Sequence, residues 1–166
     1  MTNADFADQE TRVELLAGIH PENRQPIFEQ ILATPAEGEN EYRLLKSPLF
    51  VRGIAAQDIV RINPDSRGRF ELVQRSGILA LRVFFKQPDA DLENQLTAEL
   101  EKLGGSQDIL TERALVYSIH FGVGFQAIEA LINRMTAGKP VQWMYGNVYH
   151  AETGEPLNWW QDMLQA

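Results

Sequence analysis

The fold of the second half of the chain is decided by the stretch Asp89-Ala-Asp-Leu-Glu-Asn-Gln-Leu-Thr-Ala-Glu-Leu-Glu-Lys-Leu103. Its leucines stand at positions 92, 96, 100 and 103, a spacing that places them on one face of an α-helix. Acidic residues open the stretch and Gly104-Gly105 follows it, which are start and stop signals of a helix. The sequence therefore predicts a helix over 89–103 with one apolar face.

The segments around this helix complete a recognisable order of elements. A second helical pattern covers 125–136 and ends at Gly138 and Pro140. Alternating or continuous apolar runs predict strands on either side of the two helices, over 79–85, 107–111, 114–121 and 141–145. The order β-α-β-β-α-β is typical of a ferredoxin-like unit, in which two helices cover one face of a four-stranded sheet.

The first half of the chain predicts short strands separated by turns. Period-two alternation marks runs beginning at Arg12, Pro26, Glu41, Asp58 and Arg69. The residues from Asp8 to Ala17 fit either a strand or a helix start. Antiparallel sheets with one solvent-exposed face usually form a barrel or a sandwich. We predict an α+β protein with a flexible N-terminus (1–11), a β-rich subdomain (12–78), a ferredoxin-like subdomain (79–150) and an aromatic C-terminal tail packed on the fold (151–166).

Composition fits a globular domain without special stabilising groups. The 166 residues are 44% hydrophobic and 23% charged, close to the averages of globular proteins, and no apolar run is long enough to span a bilayer. The acidic N-terminus lacks the features of a secretory signal, so the cytoplasm is the predicted compartment. With no cysteine, disulfides, thiolate catalysis and thiolate metal sites are excluded.

Charge alternates along the chain, whose net charge is −8. Residues 1–42 carry 9 acidic and 2 basic groups, 43–86 carry 3 and 9, and 87–112 carry 7 and 1. The arginines of the basic segment are dispersed and no RNA-binding signature accompanies them, so we predict no nucleic-acid partner. Pairing of the basic strands with acidic neighbours inside one fold is the favoured interpretation. The net negative charge of the chain favours binding to a basic protein partner.

The C-terminal region concentrates aromatic residues. All three tryptophans and two tyrosines lie within residues 143–160, between turn-forming sequences. Such a segment either covers a core or forms a recognition surface. We predict that it supplies the partner-binding residues, with adjacent tryptophans on an extended segment pointing to opposite faces, one anchored and one exposed. The candidates are Tyr145, Asn147, Tyr149, Asn158, Trp159 and Trp160.

No pattern predicts catalysis, a cofactor or a metal. The run Gly122-Val-Gly-Phe-Gln-Ala127 resembles a nucleotide-binding G-x-G-x-x-A, but glycines that permit a tight β-to-α turn explain it better than an anion at the helix N-terminus. The three histidines have no local metal-ligand spacing. His120 and His150 could form an acid/base pair with Glu152 or Glu155 only if the fold brings them together.

Softer motifs in the first half resemble a known family. Glu41-Tyr-Arg-Leu-Leu-Lys-Ser-Pro-Leu-Phe50, Gly53-Ile-Ala-Ala-Gln-Asp58, Arg75-Ser-Gly77 and Leu81-Arg-Val83 are similar to a family of small bacterial proteins known as domain of unknown function 4265. The similarity is expected to run from about Val13 to Trp160. The resemblance implies a bacterial cytoplasmic protein and assigns no activity, cofactor or catalytic residue.

Three classes of function are compatible with these features. The first is a non-enzymatic binding protein that engages a protein partner, for example an immunity-type inhibitor of a toxin, and acidity and the lack of catalytic groups favour it. The second is a small-ligand or regulatory module with a site between the two halves. The third is an enzyme that uses His120 or His150. We rank them in this order. The sequence does not predict an oligomeric state.

Overall fold

Two antiparallel sheets and three helices make up residues 10–165, the part of the chain that the computed structural model describes. The α+β class is therefore confirmed. The first sheet contains β1 (Thr11–Ile19), β2 (Pro26–Pro35), β3 (Glu41–Leu44), β4 (Ile59–Ile62) and β5 (Phe70–Gln74). The second contains β6 (Ile78–Phe85), β7 (Ser106–Leu110), β8 (Ala114–His120) and β9 (Val141–Tyr145). The helices are α1 (Ala90–Lys102), α2 (Phe125–Thr136) and α3 (Trp159–Gln165).

The first sheet follows the chain order β1-β2-β3-β4-β5, with every neighbouring pair antiparallel. Its inner face carries alternate residues such as Val13, Leu15, Ile31 and Val60, all of which are buried. The opposite face is exposed to solvent in places, which explains the alternation seen in the sequence. The Leu16 N–H donates to the carbonyl of Gly68, so the loop before β5 reaches back to β1.

The second sheet has the order β7-β8-β6-β9, again with antiparallel neighbours. The helices α1 and α2 contribute leucine and isoleucine side chains to one core together with alternate residues of β6 and β8. The Asp89 carboxylate accepts a hydrogen bond from the Leu92 N–H at 3.0 Å and caps α1, as the acidic start of the stretch predicts. Leu92, Leu96 and Leu100 are buried.

A connecting loop, defined as residues 45–58 between β3 and β4, lies between the two sheets. Its Val51, Ile54 and Ala55 are buried, although the loop has no regular structure. Loops are normally exposed because their backbone groups need partners, so a buried loop requires polar side chains that supply them.

Ser47 anchors this loop to the second sheet. Its N–H donates to the Asp108 carboxylate at 2.8 Å, and its hydroxyl shares a 2.6 Å hydrogen bond with the hydroxyl of Ser118 on β8. Ser118 donates in turn to the same Asp108 oxygen. The network satisfies the polar groups of Ser47, which has no solvent-exposed surface.

Glu29 on β2 anchors the loop to the first sheet. Its two carboxylate oxygens accept hydrogen bonds from the N–H groups of Leu49, Phe50 and Val51 at 2.6, 2.9 and 3.0 Å. Because hydrogen bonds to an ionised carboxylate are strong, this one side chain fixes three consecutive backbone groups. The sheets are therefore joined through a shared polar layer.

The two ends of the chain compare differently with the expected structure. The predicted flexible N-terminus (1–11) falls largely on residues 1–9, outside the described residues, and Thr11 already belongs to β1. The prediction of an extended aromatic tail is wrong, because Trp159 and Trp160 begin the helix α3. Trp159 belongs to the core formed by α1, α2 and the second sheet, and Leu157, Trp160 and Met163 pack against that core.

Candidate functional site

A cleft opens between the start of α1 and the hairpin that joins β7 to β8. Its volume is about 450 Å³. Apolar side chains form most of its surface and carboxylates stand among them. It is lined by Phe85, Pro88, Asp89, Ala90, Glu93, Leu110, Thr111, Glu112 and Leu115. We call it the acidic cleft.

Local structure explains how these side chains come together. Pro88 follows the end of β6, and Asp89 then caps α1, so the chain turns sharply into the helix. On the other side, the Thr111 hydroxyl donates to the Ala114 carbonyl at 3.1 Å and accepts from the Ala114 N–H at 2.9 Å. This tight turn leaves Glu112 exposed and Leu110 58% exposed.

The carboxylates of the acidic cleft form no ion pair with the basic residues that the structure describes. Glu93 accepts hydrogen bonds from the Thr97 hydroxyl at 3.0 Å and from the Gln107 amide at 3.3 Å, both uncharged donors. Across residues 10–165 no ion pair involves Asp89, Glu93 or Glu112. Lys102, the one basic residue of the segment 87–112, pairs with Glu99 instead. The cleft is therefore a negatively charged site with an apolar floor.

The structure places two of the six predicted partner-binding residues inside the fold. Asn147 is 1% exposed, accepts a hydrogen bond from the Ala80 N–H and donates one to the Ile78 carbonyl, so it extends the pairing along β6. Trp159 is 8% exposed, and its indole N–H donates to the Asn147 carbonyl at 2.9 Å. The polar atoms of both side chains are used within the protein.

The other four predicted residues lie at or near the surface. The Tyr145 hydroxyl donates to Glu129 at 3.0 Å, and burial together with this carboxylate raises the pKa of Tyr145 above its ordinary value. Tyr149 is 48% exposed and forms an isolated bridge with Pro156. Asn158 is exposed, and Trp160 is half-buried with its ring centroid 4.9 Å from that of Phe125. A partner-binding role for these four stays a prediction.

Arg82 is a buried charge to which the sequence analysis assigned no role. It is 4% exposed, and burial lowers its pKa to about 10. One terminal nitrogen donates to the Val51 carbonyl of the connecting loop, while its Nε is buried and has no acceptor among the described residues. A Cβ on Gly146 would lie 2.8 Å from this Nε, so a larger residue there would displace the Arg82 guanidinium. Arg82 therefore holds the loop against the second sheet.

Two arginines of the basic segment, Arg61 and Arg67, form ion pairs with acidic residues. Arg61 on β4 contacts Glu41 on β3 at 2.6 Å and Glu71 on β5 at 2.9 Å, and the three residues are direct cross-strand neighbours. Arg67 contacts Glu14 at 2.7 Å. These pairs are exposed and each adds little stability.

The side chains of His20 and His120 each contact their own turn. His20 accepts a hydrogen bond from the Glu22 N–H, and His120 accepts one from the Gly122 N–H at 2.9 Å. Within the described residues, the side chains of His120 and His150 make no hydrogen bond to Glu152 or Glu155. No group of three or more His, Asp or Glu side chains in that part of the chain is arranged to hold a metal ion.

The glycine-rich turn before α2 has a geometric explanation. A 3₁₀ turn covers Phe121–Val123, and Gly124 at the start of α2 has φ of 104°. Side chains other than glycine avoid this conformation, so the turn itself requires Gly124.

None of the helices of the described chain is long and apolar enough to cross a membrane.

Comparison with known families identifies the chain. The model of the family described as "Domain of unknown function (DUF4265)" matches residues 29–143. The chain belongs to this family. The match begins in β2 and ends in β9, so it is narrower than the expected range of about Val13 to Trp160. The acidic cleft lies within the part that defines this domain of unknown function, whereas α3 lies outside it.

One solved structure has a fold similar to that of this chain. A crystal structure of a hypothetical protein from Neisseria gonorrhoeae has a TM-score of 0.63 and 16% sequence identity, and the alignment covers 82% of this chain and 94% of that one. At this identity the likeness concerns the fold alone. No match was found among curated proteins.

Proposed function

We propose that this protein is a non-enzymatic bacterial cytoplasmic binding protein that engages a basic protein partner through the acidic cleft. The observation that carries the proposal is the combination of an apolar floor with three carboxylates that form no ion pair with any basic side chain of residues 10–165. An apolar centre surrounded by polar groups is the common arrangement of protein interfaces.

The two parts of the cleft have different roles in this proposal. Leu110, Phe85 and Leu115 accept an apolar side chain of the partner, and its burial supplies binding free energy. Asp89, Glu93 and Glu112 attract basic residues beside it, which speeds encounter and excludes acidic proteins. An immunity-type inhibitor that covers a basic toxin is one protein that would work in this way.

Short probe peptides test this proposal. A labelled peptide of alternating lysine and leucine should bind in fluorescence anisotropy, whereas a glutamate–leucine peptide should not. Glu112→Lys should weaken binding by about tenfold, because it reverses a charge at the cleft. The matched control is Glu22→Lys, which makes the same change at an exposed position of the β1–β2 turn.

A second pair of variants tests the apolar floor. Leu110→Ala should also weaken binding, whereas Leu164→Ala, at a leucine of α3 that is 71% exposed, should not. Equal weakening by Glu112→Lys and Glu22→Lys would show attraction by net charge alone and would contradict a site at the cleft.

A small-ligand module is the second candidate function. The cleft volume of about 450 Å³ lies in the range of small-molecule sites. With its apolar floor and its carboxylates, the cleft would bind an amphipathic cation, such as an alkyl amine. A rise in the melting temperature with such an amine, absent in Leu110→Ala, together with no binding of the lysine–leucine peptide, would favour this candidate. An enzyme using His120 or His150 is the third and has the least support, because neither imidazole makes a hydrogen bond to Glu152 or Glu155 among the described residues.

We also propose the finer architecture. The order β7-β8-β6-β9, with α1 after the first strand of this half and α2 after the third, supports a ferredoxin-like unit over 79–150. The hydrogen bond from Leu16 to Gly68 supports a barrel-like curl of the β-rich unit over 12–78. The packing of α3 on the second core supports a tail (151–166) that stabilises the ferredoxin-like unit.

A further inference from the structure

Four strands lie at the edges of the two sheets: β1, β5, β7 and β9. An edge strand exposes a row of unpaired backbone N–H and C=O groups, and proteins usually protect such rows with bulges, charges or a covering segment. The four edges differ in this protection.

Three of the edges carry protective features. The pairing of β1 shifts between Leu16 and Gly18, and the loop at Gly68 bonds to it. The pairing of β5 also contains a register shift. The β7 pairing shifts between Gln107 and Ile109, and Asp108 between them turns inward to Ser47 and Ser118. Each irregularity hinders a second strand from pairing there.

Among residues 10–165, none of these features occurs at the fourth edge, β9. Its sequence Val141-Gln-Trp-Met-Tyr145 contains no charged residue and no proline. It pairs with β6 in continuous register from Tyr145 opposite Leu81 to Val141 opposite Phe85. Met144 is 42% exposed on one face, and Trp143 and Tyr145 are half-buried on the other.

The backbone groups of β9 that point away from the sheet can be identified from the register. The Gly146 N–H donates to the Ala80 carbonyl and the Lys86 N–H donates to the Pro140 carbonyl, so even-numbered residues of this segment face β6. In an antiparallel ladder the residues alternate, and the N–H and C=O of Trp143 and Tyr145 therefore face outward. No backbone partner for these groups occurs in the described part of the chain.

We propose that β9 pairs with β9 of a second copy of this chain, antiparallel about Trp143, and joins two four-stranded sheets into one of eight strands. A two-fold axis at this position places Trp143 opposite Trp143 of the second copy, Val141 opposite Tyr145, and Gln142 opposite Met144. No charged side chain of β9 meets a like charge, although each chain has a net charge of −8.

Charges at the two ends of β9 favour a second copy over another partner. Lys139 precedes the strand, and Glu129 lies beside its other end, where it accepts the hydrogen bond of Tyr145. Antiparallel pairing brings Lys139 of each copy towards the Glu129 end of the other. The edge is therefore complementary to itself, whereas the acidic cleft is complementary to a basic protein.

Oligomeric state and amide exchange test the proposal together. Sedimentation from about 1 μM to about 1 mM protein should show a monomer–dimer equilibrium. Across the same range, the exchange of the Trp143 and Tyr145 amide protons should slow by about tenfold or more as the dimer forms. The Leu110 amide on the β7 edge should not change.

Two variants of Trp143 separate pairing from folding. Trp143→Pro removes an outward N–H without breaking a bond to β6, and Trp143→Lys places two like charges opposite each other at the axis. Both should abolish the dimer. Trp143→Ala keeps the amide and adds no charge, so it should still form a dimer. Val73→Lys, at a residue of the β5 edge that is 41% exposed, is the matched control and should leave the dimer intact.

Several results would overturn self-pairing. A monomer at every concentration would do so, as would a dimer that survives Trp143→Lys. A dimer without protection of the Trp143 and Tyr145 amides would place the interface elsewhere. Protection that arises only when a different protein is added would assign the edge to that protein. The acidic cleft is tested by separate variants, so failure of either proposal leaves the other intact.

Discussion

Single buried residues carry charges that the fold tolerates because neighbouring groups bind them. Asp58 is 1% exposed, and its carboxylate accepts hydrogen bonds from the Ala55 N–H and from the N–H and hydroxyl of Ser76. Burial nevertheless raises its pKa, because removal of water disfavours the ionised form more than these hydrogen bonds and the nearby Arg75 stabilise it. Asp58 thus links the stability of the connecting loop to pH.

This linkage has a definite sign. Because the pKa of Asp58 is higher in the folded than in the unfolded chain, its contribution to stability is fully present below the unfolded pKa and is lost as pH rises through the folded pKa. Asp58→Asn should destabilise the protein by about 1 to 3 kcal/mol through lost hydrogen bonds. The difference in the free energy of unfolding between wild type and this variant should become smaller as pH rises from about 4 through the folded pKa of Asp58. Urea unfolding of both proteins at several pH values measures it, and a difference independent of pH would contradict the linkage.

At the scale of elements, α3 shows how a short helix can be held by one residue. The Trp159 ring is buried, its edge meets the Phe121 ring at a centroid distance of 5.8 Å, and Arg75 lies 5.2 Å above it. Trp160 lies on the outer side of the same core and is only half-buried. A helix of seven residues is not stable alone, so the stability of α3 must come from these contacts.

The two tryptophans should therefore differ in their effect on stability. Trp159→Ala should lower the free energy of unfolding by roughly 3 to 5 kcal/mol, as large-to-small changes in a core commonly do. Trp160→Ala should cost roughly 1 to 2 kcal/mol, because less apolar surface is lost. Urea unfolding followed by circular dichroism measures both. Equal losses would contradict the placement of Trp159 as the anchor of α3.

At the scale of the whole molecule, the connecting loop makes the stability of one sheet depend on the other. Glu29 holds the loop from the first sheet, and Ser47 and Arg82 hold it against the second. Buried hydrogen-bond networks of this kind are sensitive to the loss of any member. We expect the two sheets to unfold in a single transition.

Glu29→Gln tests this coupling. The amide keeps the size of the side chain but has one accepting oxygen, so at least one backbone N–H loses its partner and the protein should be destabilised by about 1 to 3 kcal/mol. All tryptophans lie in the second half, so their emission reports on the second sheet, and NMR signals of β1 and β2 report on the first. Both midpoints should fall together. Glu71→Gln, at an exposed ion pair, should change stability by less than about 0.5 kcal/mol. A shift confined to the first sheet would contradict the coupling.

The sequence by itself determined the elements, because their signals are local. The leucine spacing of α1, its acidic start and its glycine stop all lie within residues 89–105, and the alternation of β1 to β5 lies within each strand. The helix α3 is the exception, although Asn158 before it and Asp162 in its first turn were local helix signals. The α+β class followed from these patterns, whereas the family was identified by the resemblance of short motifs within residues 41–83.

Only the tertiary structure decided which polar and aromatic residues are buried. Ser47 meets Ser118 across 71 positions of the chain, and Asn147 meets Ile78 across 69, so no local pattern could assign these partners. The same holds for the acidic cleft, which joins residues before α1 to the β7–β8 hairpin. Periodicity reports which face of an element is apolar, whereas burial of a polar group depends on a partner that only the packing of distant segments supplies.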